Sequence, residues 1–258
     1  SLRLHCCNAV SWNFPKHHRE CGRSGIPGFS TLTRRLGDVR CRILMKSHRI
    51  ILIGGCFLAF GAAFANTSVL LKTGTSVSHL TGDISRLSID LFRTTPDIMT
   101  DLYRVSSATF SFFTGAFLAG LLIHHPSLDL ARPYGRTITG IGFLLLLSSW
   151  LMPGHPIAGI SLSALACGLQ NSLATRYRGI VLRTTHLTGL ITDFGVTLGM
   201  SVRGFEIPRW KVFVPAILTA GFFLGGAFSC FVTIRLHLDT LRIAGFAYIG
   251  SGILWTLS

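Results

Sequence analysis

Charged residues are scarce in this chain, and acidic residues are the scarcest. Only 13% of the 258 residues are charged, and Asp and Glu together number 10, whereas soluble domains carry about 25% charged residues. Formally uncharged stretches occupy 50–71, 105–123, 137–175, 212–234 and 243–258. A helix that spans a membrane needs about 20 apolar residues. The scarcity of charge therefore excludes an ordinary soluble protein and predicts membrane-spanning helices.

The stretch 137–175 is about twice as long as one span requires. Near its middle lies the segment MPGHP at 152–156, and two prolines with a glycine indicate a tight turn between antiparallel helices. With this stretch divided in two, the sequence predicts six spanning helices.

Several motifs that identify enzymes and metal sites are also lacking. The sequence has no HExxH, no GxSxG and no Walker motif, which argues against the hydrolases and nucleotide-binding enzymes that use them. Its 7 cysteines include no CxxC pair, the spacing typical of zinc sites. We therefore predict no enzyme, no catalytic residue, no metal and no cofactor. Cys56, Cys167 and Cys230 fall in apolar helices and are interpreted as small buried hydrophobes.

Basic charge is present, and it is concentrated at the N-terminus. The formal net charge is +14, and residues 1–49 contain ten Lys and Arg but only two acidic residues. In a soluble protein this would suggest nucleic acid. Before a first span, however, it matches the positive-inside rule and predicts a cytoplasmic N-terminus, with no nucleic-acid partner. Residues 1–45 are predicted to be a disordered basic extension. This extension ends at Met45, which is the first methionine in the sequence.

The rest of the chain contains an internal repeat. SVSHLTG at 76–82 matches RTTHLTG at 183–189, and NTSVLLKTG at 66–74 aligns with NSLATRYRG at 171–179. Each copy then has small residues at every fourth position of a helix, a pattern that favours close helix packing in lipid: Ser111, Gly115 and Ala119, then Gly221, Gly225 and Ser229. The sequence predicts an all-α, polytopic transmembrane helix bundle of two homologous repeats, 46–153 and 156–258.

Each repeat is also predicted to contain a short amphipathic helix that opens near His-Leu-Thr-Gly. Each short helix can be re-entrant, interfacial or spanning, and it adds a span only in the last case. The predicted total is therefore six, seven or eight spans. If both are re-entrant, the repeats are inverted, and cytoplasmic loops hold eight Lys and Arg residues against six outside. The positive-inside rule favours that arrangement.

The polar faces of the two short helices carry the candidate site. Ionisable side chains at membrane depth are unfavourable unless they are paired or hydrated, which favours a cavity; a helix lying at the membrane surface explains the same pattern without a function. Helical spacing predicts that Arg86 pairs with Asp83 or Asp90. Arg176, Arg183 and Arg86 are the candidate partners of Asp193. The residues proposed to bind a substrate or an ion are His79, Thr81, Asp83, Arg86, Asp90, Asn171, Arg183, His186, Thr188 and Asp193.

The two histidines allow two interpretations. His79 and His186 each precede a short helix, and each is either a structural residue of the turn or a group that handles protons, since histidine titrates near neutrality.

The segments GLQN at 168–171, RTTHLTGLITD at 183–193 and VSHLTG at 77–82 together resemble the YoaK-like family of bacterial membrane proteins, over about residues 50–258. The resemblance implies a multi-helix protein of the bacterial cytoplasmic (inner) membrane and no particular activity. Members commonly carry Asn where this chain has Asp83, and an acidic residue near Asn66 that this chain lacks. The resemblance therefore implies that a role of Asp83 is particular to this chain.

Three functions fit these features. The first is a secondary transporter or permease for a small, anionic solute, bound at the repeat interface, because repeats with short interrupted helices are typical of transporter sites. The alternative is a non-catalytic membrane scaffold or accessory subunit, which the small-residue stripes favour. An intramembrane enzyme is the weakest, since no catalytic motif supports it. The lipid bilayer, a small solute and a second copy of the chain are the expected partners.

Overall fold

The computed structural model describes residues 52–92, 98–123, 134–173, 176–177, 180–181 and 185–257. The chain divides into two compact units, Ser1–Ile53 and Gly54–Ser258, and nearly all of the described residues belong to the second unit. The predicted N-terminal extension, 1–45, lies outside the described residues. The helices are α1 (Leu52–Thr73), α2 (Leu80–Asp90), α3 (Ile98–Ile123), α4 (Tyr134–Leu151), α5 (Pro156–Ser172), α6 (Leu187–Val202), α7 (Arg209–Arg235) and α8 (Thr240–Leu257).

The predicted helical class is confirmed for the described residues. Apart from the eight helices, they contain one minimal antiparallel pair of two-residue strands, β1 (Arg176–Tyr177) and β2 (Ile180–Val181). The predicted break in the long apolar stretch is confirmed as well, since α4 ends at Leu151 and α5 begins with a proline at its first turn. Both short helices begin directly after the histidine of their His-Leu-Thr-Gly segment.

Among the described residues, three helices are long and apolar enough to cross a membrane: Leu52–Thr73, Ile98–Leu122 and Arg209–Arg235. Shorter apolar helices are Gly135–Leu151 and Leu187–Val202. Large apolar side chains also cover the outside of the bundle, and Phe110 and Phe223 are more than two-thirds exposed, which is typical of a surface that faces lipid rather than water. These helices are compatible with a membrane location, while the count of six spans stays a prediction.

The helices α4 and α8 approach closely through glycines. Gly142 lies against Gly245, and Gly135 lies against Gly252, so that a Cβ atom at any of the four would overlap the opposite helix. Residue numbers rise along one helix as they fall along the other, and the two helices are therefore antiparallel.

Two further crossings bring a glycine onto the backbone of another helix. Gly225 of α7 lies against the carbonyl of Phe60 in α1, and Gly115 of α3 lies against the carbonyl of Leu165 in α5. One turn earlier along both helices, Gly221 lies nearest the carbonyl of Cys56. The helices α1 and α7 are therefore parallel.

The direction of the remaining helices follows from their contacts with α1. Tyr248 of α8 packs on Gly61, and Thr240 at the start of α8 donates a hydrogen bond to Ser68, nearer the end of α1, so α1 and α8 are antiparallel. The helix α3 begins beside the segment at which α1 ends, since Asp101 and Gly74 line the same small cavity. The bundle therefore has α1, α4 and α7 running one way and α3, α5 and α8 the other.

The apolar core lies where α1, α3, α4, α5 and α8 meet. Cys167 of α5 is buried there, as predicted. Cys56 and Cys230 are only partly buried, so the predicted burial is wrong for these two cysteines. They lie on α1 and α7, each of which has a side that the other described helices do not cover.

Candidate functional site

The segment that follows α1 folds back along that helix. Gly74 adopts a φ of 71°, the left-handed conformation that glycine favours at helix ends. The side-chain oxygen of Asn66 then accepts hydrogen bonds from the Ser76 hydroxyl (2.9 Å) and from the backbone amides of Val77 (2.9 Å) and Ser78 (3.0 Å). Asn66 precedes the end of α1 by seven residues, roughly 10 Å along the helix axis. The turn therefore carries Ser78 inward from the end of the bundle.

His79 continues this inward path. Its amide donates to the Ser76 hydroxyl at 3.0 Å, and its ring lies edge-on to Phe222, halfway along α7, with 5.1 Å between ring centroids. Its Nε2 and the neighbouring Ser78 Oγ are buried and have no hydrogen-bond partner among the described residues. Burying such polar atoms without a partner is unfavourable, so this place is suited to a ligand or to water.

The second short helix begins in a similar way. The side-chain oxygen of Asn171 accepts a hydrogen bond of 2.6 Å from the hydroxyl of Thr185, which is buried. The next residue, His186, precedes α6 and folds its ring over Gly189, where any side chain would overlap it.

The beginnings of the two short helices lie near each other. Burial lowers the pKa of His79 below its usual value, and the charge of His186 lowers this pKa further. The two histidines are therefore near enough for the charge of His186 to act on His79, although the side chain of His186 is exposed.

A cluster of charged side chains lies beside the first turn of α2. Asp83 accepts a hydrogen bond of 2.6 Å from the amide of Ser76. Arg86 forms ion pairs with Asp90 (3.7 Å) and with Asp101 of α3 (3.5 Å). Of the two partners predicted for Arg86, Asp90 is confirmed. Asp83 forms no ion pair within the described part of the chain; its burial raises its pKa, while the Ser76 amide and the charge of Arg86 oppose that shift.

The other predicted site residues lie apart from this place. Thr81, Thr188 and Asp193 are exposed, and Asp193 has no ion pair among the residues that the structure describes. The pairing of Asp193 with Arg86 is wrong, because Arg86 is bound by two carboxylates near its own helix. Arg183 and the side chain of Arg176, the other predicted partners, lie outside the described residues. The structure thus brings together Asp83, Arg86 and Asp90, which line one small cavity with Asp101. The ring of His79 lies instead against Phe222 of α7, and His186 is exposed.

Sequence reasoning missed a second polar cluster, at the turn between α7 and α8. Asp239 accepts hydrogen bonds from Lys72 of α1 (2.8 Å), Ser149 of α4 (2.6 Å) and the amide of Leu241 (3.1 Å), and it pairs with Arg242 at 3.3 Å. Burial acts to raise the pKa of Asp239, but the hydrogen bonds from Lys72 and Ser149 and the charge of Lys72 outweigh it, and the pKa is lower than usual.

A third polar contact joins helices in the interior. Gln170 of α5 donates to the backbone carbonyl of Leu58 in α1 at 2.7 Å and accepts a hydrogen bond from the Tyr248 hydroxyl of α8 at 2.8 Å. Gln170 and Tyr248 are both buried. Each side chain therefore has a hydrogen-bond partner on another helix, and the contact holds three helices together.

The three long apolar helices and the apolar outer surface of the bundle are those of a helical membrane protein. Over residues 54–254 the chain matches the model of a family described as protein of unknown function (DUF1275). The match covers most of the chain, which therefore belongs to that family. No curated protein and no solved structure matches the chain. The more specific YoaK-like assignment is not carried by a named relative and stays a prediction.

Proposed function

We propose that this protein is a secondary transporter or permease for a small solute, with its binding site where α2 and α6 begin. One observation carries the proposal. The segments that lead into both short helices are buried at Val77 and Thr185, and two buried polar atoms beside the first of them, Ser78 Oγ and His79 Nε2, have no partner among the described residues. Short helices that begin inside a bundle, at matching places in two repeats, are typical of transporter sites.

Matching contacts support the two repeats that the site requires. Phe60 and Leu165 are 105 positions apart, the offset that aligns Asn66 with Asn171, and Gly115 and Gly225 are 110 positions apart. Gly225 packs on the carbonyl of Phe60, and Gly115 packs on the carbonyl of Leu165. Equivalent residues thus make equivalent contacts across the bundle, which is what a two-fold pseudo-symmetry axis produces.

The pair α4 and α8 supports an inverted relation between the repeats. An offset of 110 relates Gly135 to Gly245 and Gly142 to Gly252, and it converts the contact between Gly142 and Gly245 into the one between Gly135 and Gly252. Because these helices are antiparallel, a two-fold axis that exchanges them is perpendicular to them and lies in the membrane plane. Each repeat then has three spans, with its short helix re-entrant.

The chemistry of the place suits a small solute that carries an anionic group. The first turn of a helix leaves backbone N–H groups free and carries a partial positive charge, which together favour an anion. Ser78 and His79 add side-chain donors at the start of α2. Asp83 lies one turn further, and its carboxylate is our candidate for a coupled proton or cation.

One observation favours the alternative, a scaffold or accessory subunit. No residue of α2 is buried, and its apolar residues Ile84 and Ile89 are exposed. A helix of this kind also fits the membrane surface, with its apolar side in lipid.

Thiol labelling distinguishes the two functions. In a variant with all seven cysteines replaced, single cysteines are introduced at Ser78, His79 and Thr185, and the protein in proteoliposomes is treated with small and bulky membrane-impermeant reagents. We expect the small reagents to label these positions and the bulky reagents to fail, because a re-entrant site is reached through a narrow aqueous path.

Two control positions calibrate the labelling. A cysteine at Arg86, whose side chain is 62% exposed, should react with both classes of reagent, and one at the outward-facing Phe223 should react with neither in lipid. Rapid labelling of position 79 by the bulky reagents would favour the scaffold. No labelling of positions 78, 79 and 185 by any reagent would rule out an aqueous site and with it the transporter.

A further inference from the structure

The cluster around Asp239 joins the ends of three helices. We name Lys72, Ser149, Asp239 and Arg242 the latch: Lys72 is near the end of α1, Ser149 near the end of α4, and Asp239 with Arg242 at the start of α8. Ser149 also accepts a hydrogen bond from Arg242 at 3.2 Å. In the proposed repeats, Lys72 and Ser149 belong to the first and the other two residues to the second. The latch therefore holds the repeats together.

Along the axis of α1, the latch lies nearer to one end of the bundle than the proposed site does. Along α1 the order is Asn66, which holds the turn before His79, then Ser68, then Lys72. Ser68 accepts a hydrogen bond of 2.7 Å from Thr240, whose hydroxyl also lies 2.9 Å from that of Thr233. This chain of hydroxyls is an inner layer, and Lys72 with Asp239 is an outer layer, one helical turn further out.

The two ends of the bundle differ in their ion pairs. Every ion pair among the described residues lies at the end where α1 ends and α3 and α8 begin. At the opposite end, the described basic residues Arg136, Arg203, Arg209 and Lys211 have no ion pair within the described part of the chain. The described structure is therefore held closed by charge at one end only.

From these contacts we infer that the latch is a gate of the proposed transporter. With the latch formed, the site at Ser78 and His79 is shut off from the side of the membrane on which Lys72 lies. When Lys72 and Ser149 separate from Asp239, the start of α8 moves away from the ends of α1 and α4, and the site opens to that side. This inference rests on the proposed function, since a gate requires a site that is reached from both sides in turn.

The test measures the access of a cysteine at Ser78 from each side of the membrane. The full chain, free of other cysteines, is placed in proteoliposomes of known orientation, and a small impermeant thiol reagent is added on one side at a time. Asp239→Asn and Lys72→Met each remove the ion pair, so we expect labelling from the Lys72 side to become roughly fivefold faster or more, the range of ordinary coupling between sites. Lys72→Arg keeps the charge, and we expect it to label as slowly as the parent.

Arg235→Gln is the matched control, because Arg235 is exposed at the same end of the bundle and has no ion pair among the described residues. Unchanged labelling in folded Asp239→Asn and Lys72→Met, with labelling from the opposite side retained, would overturn the latch and leave the proposed site intact. Equally fast labelling in Lys72→Arg would overturn it too, because the charge would then not matter. If position 78 is labelled from neither side in any variant, the latch and the proposed function both fail.

Discussion

The close contact at Gly115 allows the destabilisation caused by one added methyl group to be measured. Its Cβ position is occupied by the carbonyl of Leu165, whereas Gly120 on the same helix has open space around it. We expect Gly115→Ala to lower the free energy of unfolding by about 1–3 kcal/mol, as overpacking does. Gly120→Ala should be neutral or stabilising by up to about 1 kcal/mol, because alanine favours helix. Unfolding in detergent micelles measures both, and equal losses would show that the contact is not tight.

Tyr248 tests the buried polar contact between three helices. Tyr248→Phe removes the donor to Gln170 and leaves the amide oxygen of Gln170 buried without it. We expect a loss of about 0.5–2 kcal/mol in the free energy of unfolding, the range for hydrogen bonds between helices in membranes. Tyr103→Phe, at a side chain that is 63% exposed, should change little in the same micelle assay. A loss as large for Tyr103→Phe would mean that the effect does not come from burial.

At the scale of elements, the turn before α2 depends on one side chain. Asn66 is the acceptor of three hydrogen bonds from Ser76, Val77 and Ser78. Asn66→Ala should therefore speed amide hydrogen exchange in 76–79 by about tenfold or more, because the turn loses its anchor, with little change in α4. Asn66→Asp keeps an acceptor oxygen and should preserve much of the protection. Hydrogen exchange with mass spectrometry makes the comparison, and equal protection in Asn66→Ala would contradict this role.

The sequence predicted where helices begin better than what they touch. The proline-rich turn at 152–156 and the two His-Leu-Thr-Gly starts depend on local chemistry, and the structure confirms all three. The amphipathic character of α2 was also visible, yet Ile84 is exposed and no residue of this helix is buried. Periodicity identifies a face of a helix, but it does not say which neighbour covers that face.

Only part of the candidate site was predictable, because the spacing of residues along one helix does not reveal its contacts with other helices. The charged residues of α2 were found because they recur at helical spacing on one element. Asn66 and Asp101 were missed because they act from other helices, and such contacts depend on packing between distant segments. A signal for Asp239 was present, since Asp129 with Arg132 and Asp239 with Arg242 have the same spacing and lie 110 positions apart.

For the whole molecule, Asp239 predicts how stability changes in acid. Its pKa is lower in the folded state than the ordinary value of 3.8, so between these two values the folded state binds fewer protons than the unfolded state. The stabilisation by this carboxylate is complete above 3.8 and is lost as the pH falls through the lower, folded pKa. The groups that face it are Lys72, Ser149 and Arg242, and His237 lies in the same turn.

Asp239→Asn should therefore lower the free energy of unfolding at pH 7 and flatten its decline below about pH 4, since the titrating group is gone. Asp193→Asn, at an exposed carboxylate without an ion pair among the described residues, serves as the control and should leave the curve unchanged. Unfolding in micelles at a series of pH values provides the measurement. An unaltered decline in Asp239→Asn would assign the acid sensitivity to other carboxylates.

The glycine contact between α4 and α8 also sets an order of events during synthesis. Gly142 and its neighbour Gly245 are separated by 103 positions, and translation proceeds at about 5–20 residues per second. For roughly 5–20 s, again from that rate, the nascent α4 has no α8 against which to pack. Its glycine groove is open to lipid, or to whatever insertion factor accompanies the chain, and a ribosome that stalls within α7 leaves a protein whose central helix pair cannot form.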